Sequence, residues 1–481
     1  MTDTAAPADE LDRRTLFALV AMGLAVLIVA NDFTALSVAL PAIERDLDTS
    51  LTTVQWVINA YGLVFGVMIV TGGRLADMFG RRNVFVAGAG IFAVFSLLGG
   101  VSQDVHMLIA CRALMGIGGA MMWPAILGMT YAVLPASKAG LAGGLILGAA
   151  GLGNAVGPMV GGVLSDELTW RWVFFVNLPV AAVGVIATLR AIEPDEPADR
   201  RERIDYPGIA TLSVGLVLIM IALDQSTDWG WGDARVIGCM AVGALLVAGF
   251  ALVERRAGER ALVPGSVIGN ARFRATCLTV LLLSAVFFAA LLYLPQFMTK
   301  ALGYDALSAG VGLLPMMATF AAVSFVAGPL YGRLGAKPIV SAGTACITLG
   351  IFLLSLIEAG DDYGALLPGM LVLGVGFGLF FSSVTTAGVT ALDPSQASLA
   401  GGIVYMFQVA GGVVGLAVNT AIVTSDAGES TTRFVEGISD AFRLDAFLAL
   451  AGLVVAVLFV GGRMSADELR RHRPHLHRAH G

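Results

Sequence analysis

Charge is scarce in this 481-residue chain: 13% of residues are Asp, Glu, Lys or Arg, against 57% apolar, and the mean hydropathy is +0.84. A water-soluble domain of this length is excluded, because too few polar residues remain to cover its surface. Lysine is rarer still. Only Lys138, Lys300 and Lys337 occur, none after a glycine, so the GK[ST] phosphate loop is absent, and with it P-loop ATP hydrolysis. The four cysteines, Cys111, Cys239, Cys277 and Cys346, all fall in apolar runs and read as small packing residues rather than disulfide partners or metal ligands. Long polar stretches are also missing. The longest connections between apolar runs, 254–274 and 425–443, are too short for a folded domain. A membrane enzyme or sensor would carry a His, Asp or Ser cluster at one interface or a soluble domain, and neither is found.

What the chain does have is apolar runs of membrane-spanning length. A spanning helix needs about 20 apolar residues. Fourteen such helices would take roughly 280, close to the apolar total of about 274 that the composition implies. Uncharged runs bounded by charges or turn residues predict spans at 15–41, 52–73, 83–102, 105–134, 139–164 and 172–191. Eight more follow at 207–223, 235–253, 275–299, 306–332, 338–357, 364–391, 397–424 and 444–462. The first is too long for a signal-peptide core and lacks a small-residue cleavage site, so it is read as retained.

Lys and Arg alternate in density across these spans. If both termini are cytoplasmic, the inner face carries 22 of them and the outer face six, Arg45, Arg171, Arg235, Lys300, Arg433 and Arg443. That asymmetry predicts an even number of spans with both ends inside. His472, His475, His477 and His480 crowd the basic C-terminal tail, which reads as a solvated positive tail; no metal site is assigned.

Rare ionisable groups at membrane depth are where such a chain keeps its chemistry. Asp32 lies nine residues before Pro41, the outer end of span 1, hence about 13 Å deep at 1.5 Å per residue. Arg112 lies about seven residues into span 4, a depth of roughly 10 Å. Opposite charges at one level suggest a pair or a shared cavity in which protonation of Asp32 changes the local field; a static packing pair is the alternative. Span 1 alone offers a clear deep carboxylate, and Asp224 at the outer end of span 7 reads as secondary or interfacial. In LGNAVGPMVGG, Gly153, Gly157 and Gly161 recur every four residues on one helix face beside Pro158, with Gly162 following, which permits close helix approach and a bend.

These residues together resemble the major facilitator superfamily, and within it the fourteen-helix drug:proton antiporter branch of QacA/EmrB-like exporters. GRLADMFGRR, with Gly73, Arg74, Asp77, Gly80, Arg81 and Arg82, is similar to the family's cytoplasmic loop signature. LIACRALMGIGGA resembles the span 4 motif tied to proton transfer, with Arg112 as its arginine, and NDFTALSVALP resembles the branch's span 1 motif, with Asp32 as its acid. Gly153 to Gly162 is similar to the antiporter motif of span 5. WVINAYGL and WRWVFFVNLP complete the set over the first 180 residues. Met115 and Ser37 depart from the usual glutamine and asparagine. The second half matches more loosely, through YLPQFMTKALGYDALSAG and through GPLYGRLGAK, a degraded copy of the loop signature that marks an internal repeat.

The resemblance implies an all-α polytopic fold of two six-helix bundles with two inserted helices. Its parts are a cytoplasmic tail (1–14), an N-terminal bundle (15–191), a linker with the inserted pair (192–274), a C-terminal bundle (275–462) and a basic tail (463–481). It implies a proton-driven exporter in the bacterial inner membrane, with no cofactor and no ATP site. Expected partners are lipophilic, including cationic, small molecules, protons and membrane lipids, and no nucleic acid. Asp32 and Arg112 would couple protons to substrate, and the Asp77 loop would act as a cytoplasmic gate. Cavity candidates by residue type are Met121, Met122, Trp123, Phe287, Phe288, Phe380, Phe381, Tyr405 and Gln408. A dedicated exporter of one lipid or metabolite shares these motifs. An uptake symporter shares the fold, and the span 5 motif argues against it.

Overall fold

With no water in the hydrocarbon to satisfy peptide groups, a chain this apolar must bond its backbone internally, and helices do so segment by segment. The computed structural model describes residues 13–135, 138–194, 205–257, 261–425 and 430–461. Among these the regular structure is helical: α1 (Arg13–Asp46), α2 (Leu51–Phe79), α3 (Arg81–Gly100), α4 (Val105–Val133), α5 (Ala139–Glu167), α6 (Trp172–Phe175) and α7 (Asn177–Ala191), then α8 (Tyr206–Trp229) and α9 (Ala234–Ala257). The second half runs α10 (Gly265–Gly269), α11 (Ala271–Lys300), α12 (Ala306–Gly312), α13 (Leu314–Leu334), α14 (Ala336–Leu354), α15 (Tyr363–Thr390), α16 (Ala397–Ser425) and α17 (Thr431–Phe459), with a 3₁₀ turn at Pro394–Gln396. Fourteen of these stretches are long and apolar enough to cross a membrane.

Helix starts follow local chemistry. Ser50, Asp104, Asp205, Asn270, Asp305 and Asp362 each accept a hydrogen bond from a backbone N–H of the first turn, supplying partners that the helix cannot. The turns at Gly80 and Gly335 close with φ of +90° and +81°, left-handed backbone that glycine adopts without strain. Both occupy the same place in their half of the chain, between the second and third spans, as the degraded loop copy predicts.

The last span differs from its expected 444–462. α17 starts at Thr431, because residues 431–443 are amphipathic rather than irregular. Arg433, Glu436, Asp440 and Arg443 share an exposed face, while Phe434, Val435, Ile438, Ala441 and Phe442 are buried. The helical periodicity survives the charges that interrupt an apolar run. The 254–274 connection likewise contains α10 rather than loop alone, and the sixth and tenth spans are each broken in two, at Val176 and Leu313.

In the first half, α1 packs on α5 and α7, and α4 packs on α2 and α3; in the second, α11 packs on α16 and α17, and α15 on α13 and α14. The two sets meet through α2 against α16 and α5 against α13, and the α8–α9 hairpin rests beside the first of these seams, on α2 and α16. Glycines set these distances. Every described glycine at which the two sets touch, among them Gly66, Gly73, Gly128, Gly140, Gly144, Gly148, Gly151, Gly328, Gly401 and Gly402, lies in the half of its helix nearer the Gly80 turn. The two sets are therefore joined along the half of the molecule nearest that turn.

A methyl at Gly161 would collide with the Ala35 carbonyl, whereas nothing lies within 4 Å of one at Gly249. Gly161→Val is expected to lower the thermal unfolding midpoint in detergent by the equivalent of roughly 1–3 kcal/mol, with Gly249→Val within about 0.5 kcal/mol of wild type; equal midpoints for the two variants would contradict the packing.

Candidate functional site

The two deep charges are in direct contact. Arg112 Nη1 on α4 donates to Asp32 Oδ2 on α1 at 2.5 Å, and the two side chains are 0% and 1% exposed. The other carboxylate oxygen accepts from Asn177 Nδ2 on α7 at 3.0 Å. Asn177 also donates to Ser96 Oγ on α3 at 3.2 Å, and Ser96 donates to the Phe174 carbonyl at 2.8 Å. The guanidinium is held from behind: Nε donates to the Val57 carbonyl at 2.8 Å, and its carbon sits 4.3 Å above the centre of the Tyr61 ring, a face that attracts cations. Met115 places its sulfur 4.0 Å from Nη1, so the position usually held by glutamine offers a weak acceptor. Five helices thus position one carboxylate with one cation. Each charge is the other's counter-ion, so removal of either would leave the second buried and uncompensated.

The span 5 glycines hold the helix that carries Asp32. Added side-chain carbons at Gly153, Gly157 and Gly161 would strike Leu27, Thr34 and Ala35 of α1, while Gly162 faces only Val38 at 3.7 Å. The side chains of Pro158, Ser37 and Asp224, and the C-terminal histidines, lie outside the described residues. A second stripe, absent from the sequence reading, precedes the first on the same helix: Gly140, Gly144 and Gly148 meet Gly328, Ser324 and Phe325 of α13. α5 therefore seats on its own bundle with one half and on the opposite bundle with the other. The signal was present as GLAGGLILG, glycine every four residues.

At the Gly80 turn, Asp77 reaches across to the second half. Its oxygens accept from the Ser398 and Leu399 amides at 3.3 and 2.8 Å, so the first turn of α16 takes its cap from α2, where the helix dipole also favours an anion. Arg81 fastens the same seam, donating to Asp77 at 3.3 Å, to the Gly128 carbonyl at 3.2 Å and to the Pro394 carbonyl at 2.5 Å. Arg82 donates to the Ile192 carbonyl at 3.0 Å, Arg74 lies within electrostatic range of Glu254 on the inserted hairpin, and Gly73 passes close to the Ser398 carbonyl. At the opposite end Arg171 pairs with Asp46 at 2.6 Å and, with Trp170, holds that carboxyl below the usual carboxylate range.

The cavity candidates divide. Trp123 and Tyr405 meet across the two halves with ring centres 4.8 Å apart and planes tilted by 53°, and Phe65 packs edge-on against both. Gln408 is half-buried one turn further on. Met121 and Met122 instead lie against Gly88 of α3. Phe287 and Phe381 belong to a ring cluster with Phe320 and Phe377, Phe380 meets Phe381 edge to face and is fully buried, and Phe288 covers Gly412.

Span 1 is not alone in holding a deep carboxylate. Asp445 is fully buried and accepts from Asn419 Nδ2 at 3.0 Å. The sequence reading placed it at the mouth of the last span; the earlier start of α17 moves it to mid-helix, fourteen residues in.

Comparison with known proteins agrees with this architecture. Residues 22–416 match the family model described as Major Facilitator Superfamily. The chain is 33% identical over 476 residues to the puromycin resistance protein pur8 of Streptomyces alboniger, covering 95% of this chain and 94% of that one. It is 32% identical over 424 residues to the tetracenomycin C resistance and export protein of Streptomyces glaucescens, covering 88% and 78%, and 30% identical over 419 residues to the multidrug resistance protein Stp of Mycobacterium tuberculosis, covering 86% and 77%. The crystal structure of the human organic anion transporter MFSD10 (TETRAN) superposes with a TM-score of 0.65 over 92% of this chain and 99% of that one, at 14% identity, a likeness of fold alone. A family model over most of the chain, fourteen apolar helices in two facing sets and relatives of this similarity make the chain a member of the major facilitator superfamily, a multi-pass transporter of the bacterial cytoplasmic membrane rather than an enzyme.

Proposed function

We propose that the protein exports small lipophilic compounds in exchange for protons, by alternating access between its two bundles. The observation that carries this reading is the buried Asp32–Arg112–Asn177 cluster: a carboxylate at membrane depth whose partners change when it takes a proton. Relatives named for resistance to puromycin and tetracenomycin C and for multidrug resistance support efflux of drug-like molecules. With the arginine-rich Gly80 turn in the cytoplasm, as the distribution of positive charge suggests, the joined half is the cytoplasmic one and the arrangement is outward-facing. Asp77 and Arg81 then latch that state, and the Trp123–Tyr405–Phe65 group forms the apolar, aromatic floor against which a substrate rests.

In this cycle a proton from outside neutralises Asp32, frees Arg112 from it and favours release of substrate on the same side; the bundles then rock and the proton leaves inward. One proton crossing about 100 mV supplies ~2.3 kcal/mol, enough for a roughly 50-fold gradient at 1.36 kcal/mol per decade. A narrower reading, export of one dedicated compound, is favoured by relatives each named for a single antibiotic, and a panel of chemically unrelated substrates separates the two.

Energised cells expressing wild type are expected to expel a lipophilic cationic dye, with expulsion lost on adding a protonophore and at least tenfold slower for Asp32→Asn; expulsion unchanged in the variant contradicts the role of Asp32. Asp77→Lys places a cation at the first turn of α16 and is expected to cut transport severely while the protein still reaches the membrane at normal levels. Full transport by that variant would remove the latch from the account.

A further inference from the structure

The second buried carboxylate has an environment unlike the first. Asp445 stands at the middle of the 29-residue α17 and is fully buried, yet among the described residues no cation pairs with it. α11 packs against it with Arg272 and Arg274 at one end and Lys300 at the other, where Lys300 lies over the Phe434 ring at 4.0 Å. α16 contributes no charged residue. α14 contributes only Lys337, which sits beside Gly461 beyond the far end of α17. On α17 itself, Arg433, Glu436, Asp440 and Arg443 face outward, and Arg443 is paired with Asp440 at 2.6 Å. The groups that do face Asp445 are neutral: the Asn419 amide, and Tyr293 of α11 within electrostatic range, its hydroxyl 2.7 Å from that of Thr420.

The hydrogen bonding of this site is short by one hydrogen. Asn419 Nδ2 donates to Asp445 Oδ2, while Asp445 Oδ1 and Asn419 Oδ1 are both buried without a partner. Both are acceptors, on the two side chains that this bond joins, so neither can satisfy the other. A proton on Asp445 Oδ1 turns it into a donor, and a carboxylic acid already bonded to a carboxamide through one oxygen can close a second bond onto the amide oxygen, which lacks a donor. The same proton removes a charge that would otherwise stand uncompensated in the membrane.

We propose that Asp445 is a second proton-carrying site of the transport cycle, holding its proton against the Asn419 side-chain oxygen in the C-terminal bundle. The placement resembles that of the first site in part: Asp32 on the first span of its bundle is bonded from the last, α7, and Asp445 on the last span of its bundle is bonded from α16 with Tyr293 of the first, α11, within electrostatic range. The chemistry is one O–H bond made from a proton of one aqueous phase and broken to the other, with Asn419 unchanged. Thr420, next to Asn419 in sequence, is half-buried and hydrogen-bonded to Tyr293. This inference rests on the proton-coupled reading above and adds a second proton to it.

The test reconstitutes wild type, Asp32→Asn, Asp445→Asn and Asp445→Glu into proteoliposomes and measures the substrate gradient held at zero net flux as the pH gradient is varied. Infrared spectra of the same preparations record the carbonyl band of a protonated carboxylic acid. Asp445→Asn is expected to lose that band at neutral pH and to couple one proton fewer, so that at one pH unit of gradient the substrate gradient falls about tenfold. Asp445→Glu is expected to keep both. Wild-type coupling retained in full by Asp445→Asn overturns the inference while leaving Asp32 coupling intact, whereas a wild-type gradient indifferent to pH defeats the proton-coupled reading itself. If Asp445→Asn does not fold, Asn419→Leu decides the matter: the acid band must move to that of an acid without its acceptor, and an unmoved band overturns the assignment.

Discussion

A charge inside a bilayer must be matched, and the way this chain matches Asp32 organises the N-terminal bundle around it. The carboxylate is shared between a guanidinium on α4 and an amide on α7, and the guanidinium is itself fixed by a carbonyl and an aromatic ring of α2. Breaking a buried pair of this kind typically costs roughly 3–5 kcal/mol. Neutralising the acid therefore changes the relation between helices rather than the state of one side chain. That is the property a coupling device needs, and ordinary packing contacts lack it.

Close approach of helices makes the arrangement possible. α5 carries two runs of glycine at every fourth position, Gly140 to Gly148 and Gly153 to Gly161, and the partner changes between them, from α13 of the opposite bundle to α1 of its own. Lipid offers no hydrophobic drive between helices, so contact depends on small residues that let backbones meet. A helix gripping the acid-bearing α1 with one half and the opposite bundle with the other is placed to carry a change at Asp32 to the interface. At the Gly80 turn the interface is polar instead: α16 borrows its cap from Asp77 of the facing bundle. Such a bond is made or lost as a unit when the bundles part.

The span pattern was legible because uncharged runs of membrane length admit few other readings, and Asp32 and Arg112 stood out as charges inside them. What escaped the sequence reading shares a physical cause. Asp445 was hidden by its own neighbourhood: Asp440 and Arg443 precede it closely, so an apolar-run criterion ends the span there, although the helix continues with its charges on one face. Asn177 lies within WRWVFFVNLP, but an amide gives no sign of its partner until α7 is set against α1 and α3. Met121 and Met122 were chosen by residue type, which does not say that α3 covers them. Residue type finds the groups, and only packing tells which face each other.

If the Asp32–Arg112 pair exchanges a proton for substrate, as proposed, substrate binding must be accompanied by proton release. Purified protein in weakly buffered detergent is mixed with a lipophilic cationic substrate while pH is followed. The account predicts that wild type releases protons in proportion to substrate bound and that Asp32→Asn binds substrate with that release reduced by one proton per molecule. Equal release from the two proteins, or binding to wild type with no release, would contradict it.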